Sequence, residues 1–120
     1  SEMKNFKEVY KFPFSDHHRG WIYDDAENFI FQFKIDDEKM CELLLQVING
    51  KANLKNKELL FRHEEGYIIS NTEQKVILIR GWGNLTSPNC LNFEYEDAMS
   101  IQDTLADYIV QQLNFREESC

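Results

Sequence analysis

Asp36-Asp37-Glu38-Lys39-Met40-Cys41-Glu42-Leu43-Leu44-Leu45-Gln46-Val47-Ile48-Asn49-Gly50 is the stretch around which the rest of the chain can be placed. Met40, Leu43, Leu44, Val47 and Ile48 recur at i, i+3, i+4, i+7 and i+8, the spacing of one apolar face of an α-helix. Asp36 suits the N-cap, Asp37 and Glu38 complement the positive end of the helix, and Asn49-Gly50 supplies a stop. Burying each of those apolar side chains is worth roughly 1.5–3 kcal/mol. The helix therefore needs a sheet to cover.

Strands lie on both sides of it. Upstream, Gly20 to Tyr23 reads as a short strand, Asp24 to Glu27 as a turn, and Asn28 to Ile35 as a second strand. In that second strand Phe29, Phe31, Phe33 and Ile35 alternate with Asn28, Ile30, Gln32 and Lys34, which predicts one aromatic face. Phe6 to Phe14, ending near Pro13, is a candidate edge strand. Downstream come Leu59 to His63, Tyr67 to Ser70 and Lys75 to Trp82, separated by Glu64-Glu65-Gly66 and Asn71 to Gln74. Gaps so short require antiparallel hairpins. After the loop Gly83 to Cys90 and a short candidate strand Leu91 to Tyr95, the residues Ala98, Ile101, Leu105, Tyr108, Ile109 and Leu113 trace a second helical stripe. Glu96 and Asp97 open that helix and Asn114 closes it. The order β-hairpin, helix, three-stranded meander, helix predicts an α+β fold, an antiparallel sheet with two helices packed on one face.

Composition bounds the class. The chain has 120 residues, 42% hydrophobic, with nine Phe, which suits a single domain spanning 1–120 with its own core. No apolar run approaches bilayer length and no greasy leader is visible, so a cytoplasmic, membrane-free protein is expected. Cys41, Cys90 and Cys120 are odd in number and lack CxxC spacing, which fits a reducing compartment and argues against a disulfide framework or zinc ribbon. The formal charge of −8 disfavours nucleic-acid polymers, whose binding rests on neutralising phosphates. The acidic pairs Asp24-Asp25, Glu64-Glu65 and Glu117-Glu118, and the runs Asp36 to Glu38 and Glu94 to Asp97, fit a solvated surface. They also leave open a basic protein partner or mimicry of nucleic acid.

Chemistry-bearing residues gather in two places. Asp16-His17-His18-Arg19 is the densest cluster, and a histidine there can serve as a base. Neighbouring residues on an extended strand point to opposite faces, so one metal does not easily take both histidines. Neither HExxH, GxSxG, GxGxxG nor GxxxxGK[ST] occurs, which removes the usual grounds for an enzyme, a metal or a cofactor. The other place is Ile79-Arg80-Gly81-Trp82-Gly83-Asn84-Leu85-Thr86. Trp82 offers a stacking face, Arg80 an anion fork, and Asn84 and Thr86 donors, together suited to a nucleotide-like or planar anionic ligand. Equally, the glycines can mark a bulge with Trp82 plugging the end of the core. Arg19-Gly20-Trp21 repeats the Arg-Gly-Trp pattern, and side by side the two would form one basic, aromatic rim.

Trp21-Ile22-Tyr23-Asp24-Asp25-Ala26-Glu27-Asn28-Phe29-Ile30 and the closing helix from Ile101 to Asn114, with its A-x-x-I-V-x-x-x-N ending, resemble small proteins of bacteriophages and mobile elements. The resemblance implies a phage-type protein and transfers no catalytic residue. Small proteins of that kind often act by sequestering a host protein or a nucleotide immune signal, and so in counter-defence. The expectation is a non-enzymatic binding protein whose contact surface is His17, His18, Arg19, Trp21, Arg80, Trp82, Asn84 and Thr86. The alternatives are an acidic protein-interaction module and a hydrolase built on Asp16, His17 and His18. The run Val76-Ile77-Leu78-Ile79, with no polar break, further predicts burial on both sheet faces, and hence a homo-oligomer through the open one.

Overall fold

The computed structural model describes residues 3–118, so Cys120 lies outside the described residues. Helix α1 spans Glu38–Ile48, and its N-cap is Asp37, one residue later than Asp36, with Oδ1 accepting from the Met40 amide at 3.1 Å. Leu44, Val47 and Ile48 are buried, Met40 packs partly against the core, and Leu43 is left 37% exposed, so the buried stripe is narrower than the periodicity implied.

Six strands form one sheet: β1 (Ser15–His18), β2 (Trp21–Tyr23), β3 (Phe29–Phe33), β4 (Phe61–Glu64), β5 (Tyr67–Ser70) and β6 (Lys75–Ile79). Their order is β1-β2-β3-β6-β5-β4 and every pairing is antiparallel. The hairpin turns use positive-φ pairs, Arg19-Gly20 between β1 and β2 and Glu65-Gly66 between β4 and β5, as two-residue turns require. Helix α3 (Tyr95–Asn114) buries Ala98, Ile101, Leu105, Ala106, Ile109 and Leu113. With α1 it covers Ile22, Phe31, Phe33, Ile68, Ile77 and Ile79 in one hydrophobic cluster, and the Tyr108 hydroxyl donates to the Ile48 carbonyl between the helices. The fold is α+β, as the pattern predicts, and among the described residues no helix is long and apolar enough to cross a membrane.

Three local expectations are corrected. The aromatic segment from Phe6 to Phe14 is not a strand. It forms a 3-10 turn, Phe6–Glu8, and then an irregular path that buries Phe6, Tyr10 and Phe14. Polar clamps hold it there: Phe6 N donates to Thr104 Oγ1 at 2.9 Å, and Lys11 N donates to Asp24 at 2.8 Å. The stretch Gly83 to Cys90 is not a plain loop, because its start belongs to a short helix, α2 (Trp82–Thr86). Leu91 to Tyr95 is no strand either; its amides return to α2, Leu91 N to Asn84 O and Phe93 N to Leu85 O.

Two β-bulges reset which side chains face the helices. Ile22 pairs with Phe31 but Tyr23 with Phe29, so Ile30 is an extra residue on β3. Ile30 and Phe31 then both turn into the core, each 0% exposed, and Phe29 is sent to the opposite face. The alternation of Phe29 with Phe31 and Phe33 is broken at that point. In the same way Ile68 pairs with Ile77 and Ile69 with Lys75, leaving Val76 extra on β6. Val76 and Ile77 are both buried on the helix side, while Leu78 is half-buried on the other. The unbroken apolar run of β6 is thus the signature of a bulge, and the ground it offered for a covered open face is gone.

Candidate ligand-binding face

The face of the sheet opposite the helices carries an aromatic row. His17 stacks on Tyr23 with ring centres 4.4 Å apart and planes at 17°, and Tyr23 meets Phe29 at 5.3 Å. Trp21 stacks on Phe29 at 5.0 Å and 13°, and remains 41% exposed. The Arg80 guanidinium lies over the same Phe29 ring, 5.7 Å from its centre. Four rings and one cation from β1, β2, β3 and the end of β6 therefore form one continuous surface.

Register extends it across the sheet. Trp21 opposes Gln32, Gln32 opposes Leu78, and Leu78 opposes Tyr67. Three strand spacings of about 4.8 Å put Trp21 and Tyr67 roughly 14 Å apart. At the Tyr67 end the Lys75 ammonium lies 4.4 Å from the ring centre. The open face thus holds two aromatic–cation couples, Arg80 with Phe29 and Lys75 with Tyr67, with Gln32 and Leu78 between them. Arg62, at the β4 margin, is engaged by Glu64 and by Glu73, the latter at 2.6 Å, and this bonding holds the Glu73 carboxyl below the ordinary carboxylate range. Among the described residues, neither Lys75 nor Arg80 makes an ion pair.

Phe29 is presented this way because of two neighbours. Asp24, 1% exposed, accepts hydrogen bonds from the Lys11, Ala26 and Asn28 amides and from Asn28 Nδ2, fixing the β2–β3 connection. Far from belonging to a solvated acidic turn, it ties the N-terminal segment to the hairpin. Gly81, at φ +97, passes so close to Phe29 that an added Cβ would collide with the Phe29 carbonyl oxygen. Only glycine combines that dihedral with that approach. Gly83 meets no such limit; it sits within α2 with open space around it.

The residues singled out in the sequence are therefore divided. Trp21, His17 and Arg80 come together on the open face. Trp82 does not join them; it packs against the core edge and meets Tyr95 edge-on at 5.4 Å. Asn84 donates to the Asn28 side chain at 2.9 Å and the Thr86 hydroxyl to the Trp82 carbonyl at 2.9 Å, so both are spent on structure. His18 and Arg19 lie at the β1–β2 turn, beside a cleft against α1. Asp16 accepts from the Gly20 amide, and among the described residues no hydrogen bond joins it to either histidine. His63 lies in β4, accepting from the Gly66 amide at 3.3 Å. Among the described residues no three His, Cys, Asp or Glu side chains are grouped to hold a metal ion.

Sequence reasoning missed Phe29, Tyr23, Tyr67 and Lys75. The available signal was the pair of uninterrupted apolar runs, Phe29-Ile30-Phe31 and Val76-Ile77-Leu78, each too long for strict alternation. No protein-family model, curated protein or solved structure matches the chain.

Proposed function

We propose that the protein is a non-enzymatic binding protein whose open sheet face takes a nucleotide-like ligand, a planar base on the Trp21–Phe29 stack and an anionic group on Arg80. The observation that carries this reading is the Arg80 guanidinium over the ring on which the exposed Trp21 stacks. Aromatic faces accept any base, and a guanidinium beside them supplies charge where the overall charge of −8 would repel an anion.

Magnitudes narrow the ligand. One stacked base contributes about 1–3 kcal/mol, and one hydrogen bond to a charged group about 1.5–3 kcal/mol. Their sum, about 2.5–6 kcal/mol, corresponds to a dissociation constant no tighter than roughly 0.04 mM. A ligand that also reaches Tyr67 and Lys75 gains a second such set, so a dinucleotide-sized molecule fits the face better than a mononucleotide. Sequestration of a nucleotide signal by a phage-type protein in a reducing cytoplasm is the role that the family resemblance adds to this chemistry.

A protein partner is the second reading, favoured by the Trp, Tyr and Arg composition of the row, which is that of interface hot spots. Self-association through the same face belongs to this reading. Titration with a mononucleotide and a dinucleotide, followed at the amides of β2, β3 and β6, separates the two. Shifts confined to the open face support ligand binding. Their absence, together with concentration-dependent association, transfers the face to a protein.

A further inference from the structure

Each edge of the sheet is clamped at its start by an asparagine. At the β4 edge the side chain of Asn114 stands in for a neighbouring strand: Oδ1 accepts from Phe61 N at 2.8 Å and Nδ2 donates to Phe61 O at 2.9 Å. Arg116 donates to the carbonyls of Leu59 and Asn56, in the segment that leads into β4. Along β1 itself the edge is open. All four of its residues, Ser15–His18, are exposed, and among the described residues nothing bonds its backbone on the side away from β2. Asn49 clamps Phe14 in the manner of Asn114, but its cover stops there. An uncovered edge is a template for another strand.

Beside that edge, between β1 and α1, lies a cleft of ≈ 640 Å³. Phe33 and Leu45 contribute apolar lining, and Asp16, Asp36, Glu38 and Glu42 line it with carboxylates against the one guanidinium of Arg19. A lysine or arginine side chain matches such a lining, its methylene stem on the apolar part and its charge among the carboxylates. A second copy of this chain does not, because pairing β1 with β1 would bring two sets of those carboxylates together. A polyanion is repelled for the same reason.

We propose that the free edge of β1 receives an extended, lysine- or arginine-bearing segment of a partner protein as a seventh strand, with a basic side chain entering the cleft beside α1. This surface shares His17 with the aromatic row of the proposed nucleotide face, but neither reading depends on that residue or on the other reading.

The test is an amide-resolved NMR titration with the blocked peptide Val-Lys-Val-Lys-Val-Lys, its Glu counterpart, and the Lys peptide N-methylated at alternate residues. The expected result is that the Lys peptide shifts the amides of Ser15–His18, that the Glu peptide does not, and that N-methylation abolishes the effect by removing the donors of the new ladder. Glu38→Gln with Glu42→Gln weakens the Lys peptide by at least about fivefold while leaving the spectrum of the free protein folded. Equal binding of the Glu peptide, equal binding of the N-methylated peptide, or no shift along β1 each overturns the proposal.

Discussion

Arg80 is tied to Phe29 through its side chain and to Ile30, the next residue, through its backbone. The guanidinium lies 5.7 Å from the centre of the Phe29 ring, and the Arg80 amide donates to the carbonyl of Ile30, the next residue, at 3.0 Å. The end of β6 is thereby held against the bulged part of β3. Gly81, directly after Arg80, allows the chain to leave this contact and enter α2 at once. The candidate site residue Arg80 and the position that only glycine can fill are consecutive.

The two glycines around Trp82 should respond oppositely to alanine. Gly81→Ala forces a side chain into φ +97 and against the Phe29 carbonyl, so it should lower stability by at least about 1–3 kcal/mol, the cost of strained backbone alone. Gly83→Ala fills open space inside a helix and should be neutral or stabilising by up to roughly 1 kcal/mol. Denaturant unfolding of both variants checks this; equal losses would show that the close approach is not as described.

Asp24→Ala removes the acceptor for three backbone amides and one side-chain amide at a position 1% exposed. Leaving such donors unpaired costs about 1–3 kcal/mol each before relaxation, so the variant should lose several kcal/mol and free the N-terminal segment. Hydrogen exchange at Lys11 and Asn28 should accelerate first. Unchanged exchange there would contradict the hub role.

Asn114→Ala uncovers the β4 edge by removing both bonds to Phe61. A stability loss of about 1–3 kcal/mol is expected, together with a concentration-dependent tendency to associate through the exposed edge. Analytical ultracentrifugation of the variant beside the parent checks the second effect. Loss of stability without association would contradict the edge-guarding role of Asn114.

Cys41 provides a pH test. Burial, with Asp16, Asp37, Asp36 and Glu38 adding to it, pushes its thiol from 9.0 up to about 11. A raised folded value favours the protonated thiol. Alkylation, which needs the thiolate, should therefore be slow at neutral pH and rise steadily until about pH 11. Between 9 and 11 the unfolded chain loses a proton that the fold retains, so this group's contribution to stability declines across that window. Cys90 is exposed and should be modified first. A Cys41 rate that levels off by pH 9 would remove the buried, acid-flanked environment assigned to it.

Much of the architecture was legible because period and punctuation agreed. The stripe from Met40 to Ile48, the stop at Asn49-Gly50, and the turns at Glu65-Gly66 and Asn71 to Gln74 all mark elements that form. What escaped were the places where one residue breaks a period. Ile30 and Val76 are single insertions that turn Phe29 and Lys75 outward, and no strand propensity distinguishes an extra apolar residue from a paired one. The Phe6 to Phe14 segment has strand-like composition but is held in the core by Thr104, Asp24 and Asn49, contacts distant in sequence. At the site, Arg80, Trp21 and His17 were readable as residue types. Trp82 was equally prominent in the sequence, yet the αL turn at Gly81 carries it away from the open face.

The most direct measurement is fluorescence of the Trp82→Phe protein, in which Trp21 is the one remaining indole, titrated with a diadenylate dinucleotide and with adenosine monophosphate. Saturable quenching of Trp21, tighter for the dinucleotide, lost in Arg80→Ala and weakened in Tyr67→Ala, with both variants melting within a few degrees of the parent, is the predicted result. Quenching that Arg80→Ala leaves unchanged, or no quenching by the dinucleotide at about 5 mM, well above the roughly 0.2 mM that is the weakest expected for two bases and two charged contacts, would contradict the assignment of the open face to a nucleotide-like ligand.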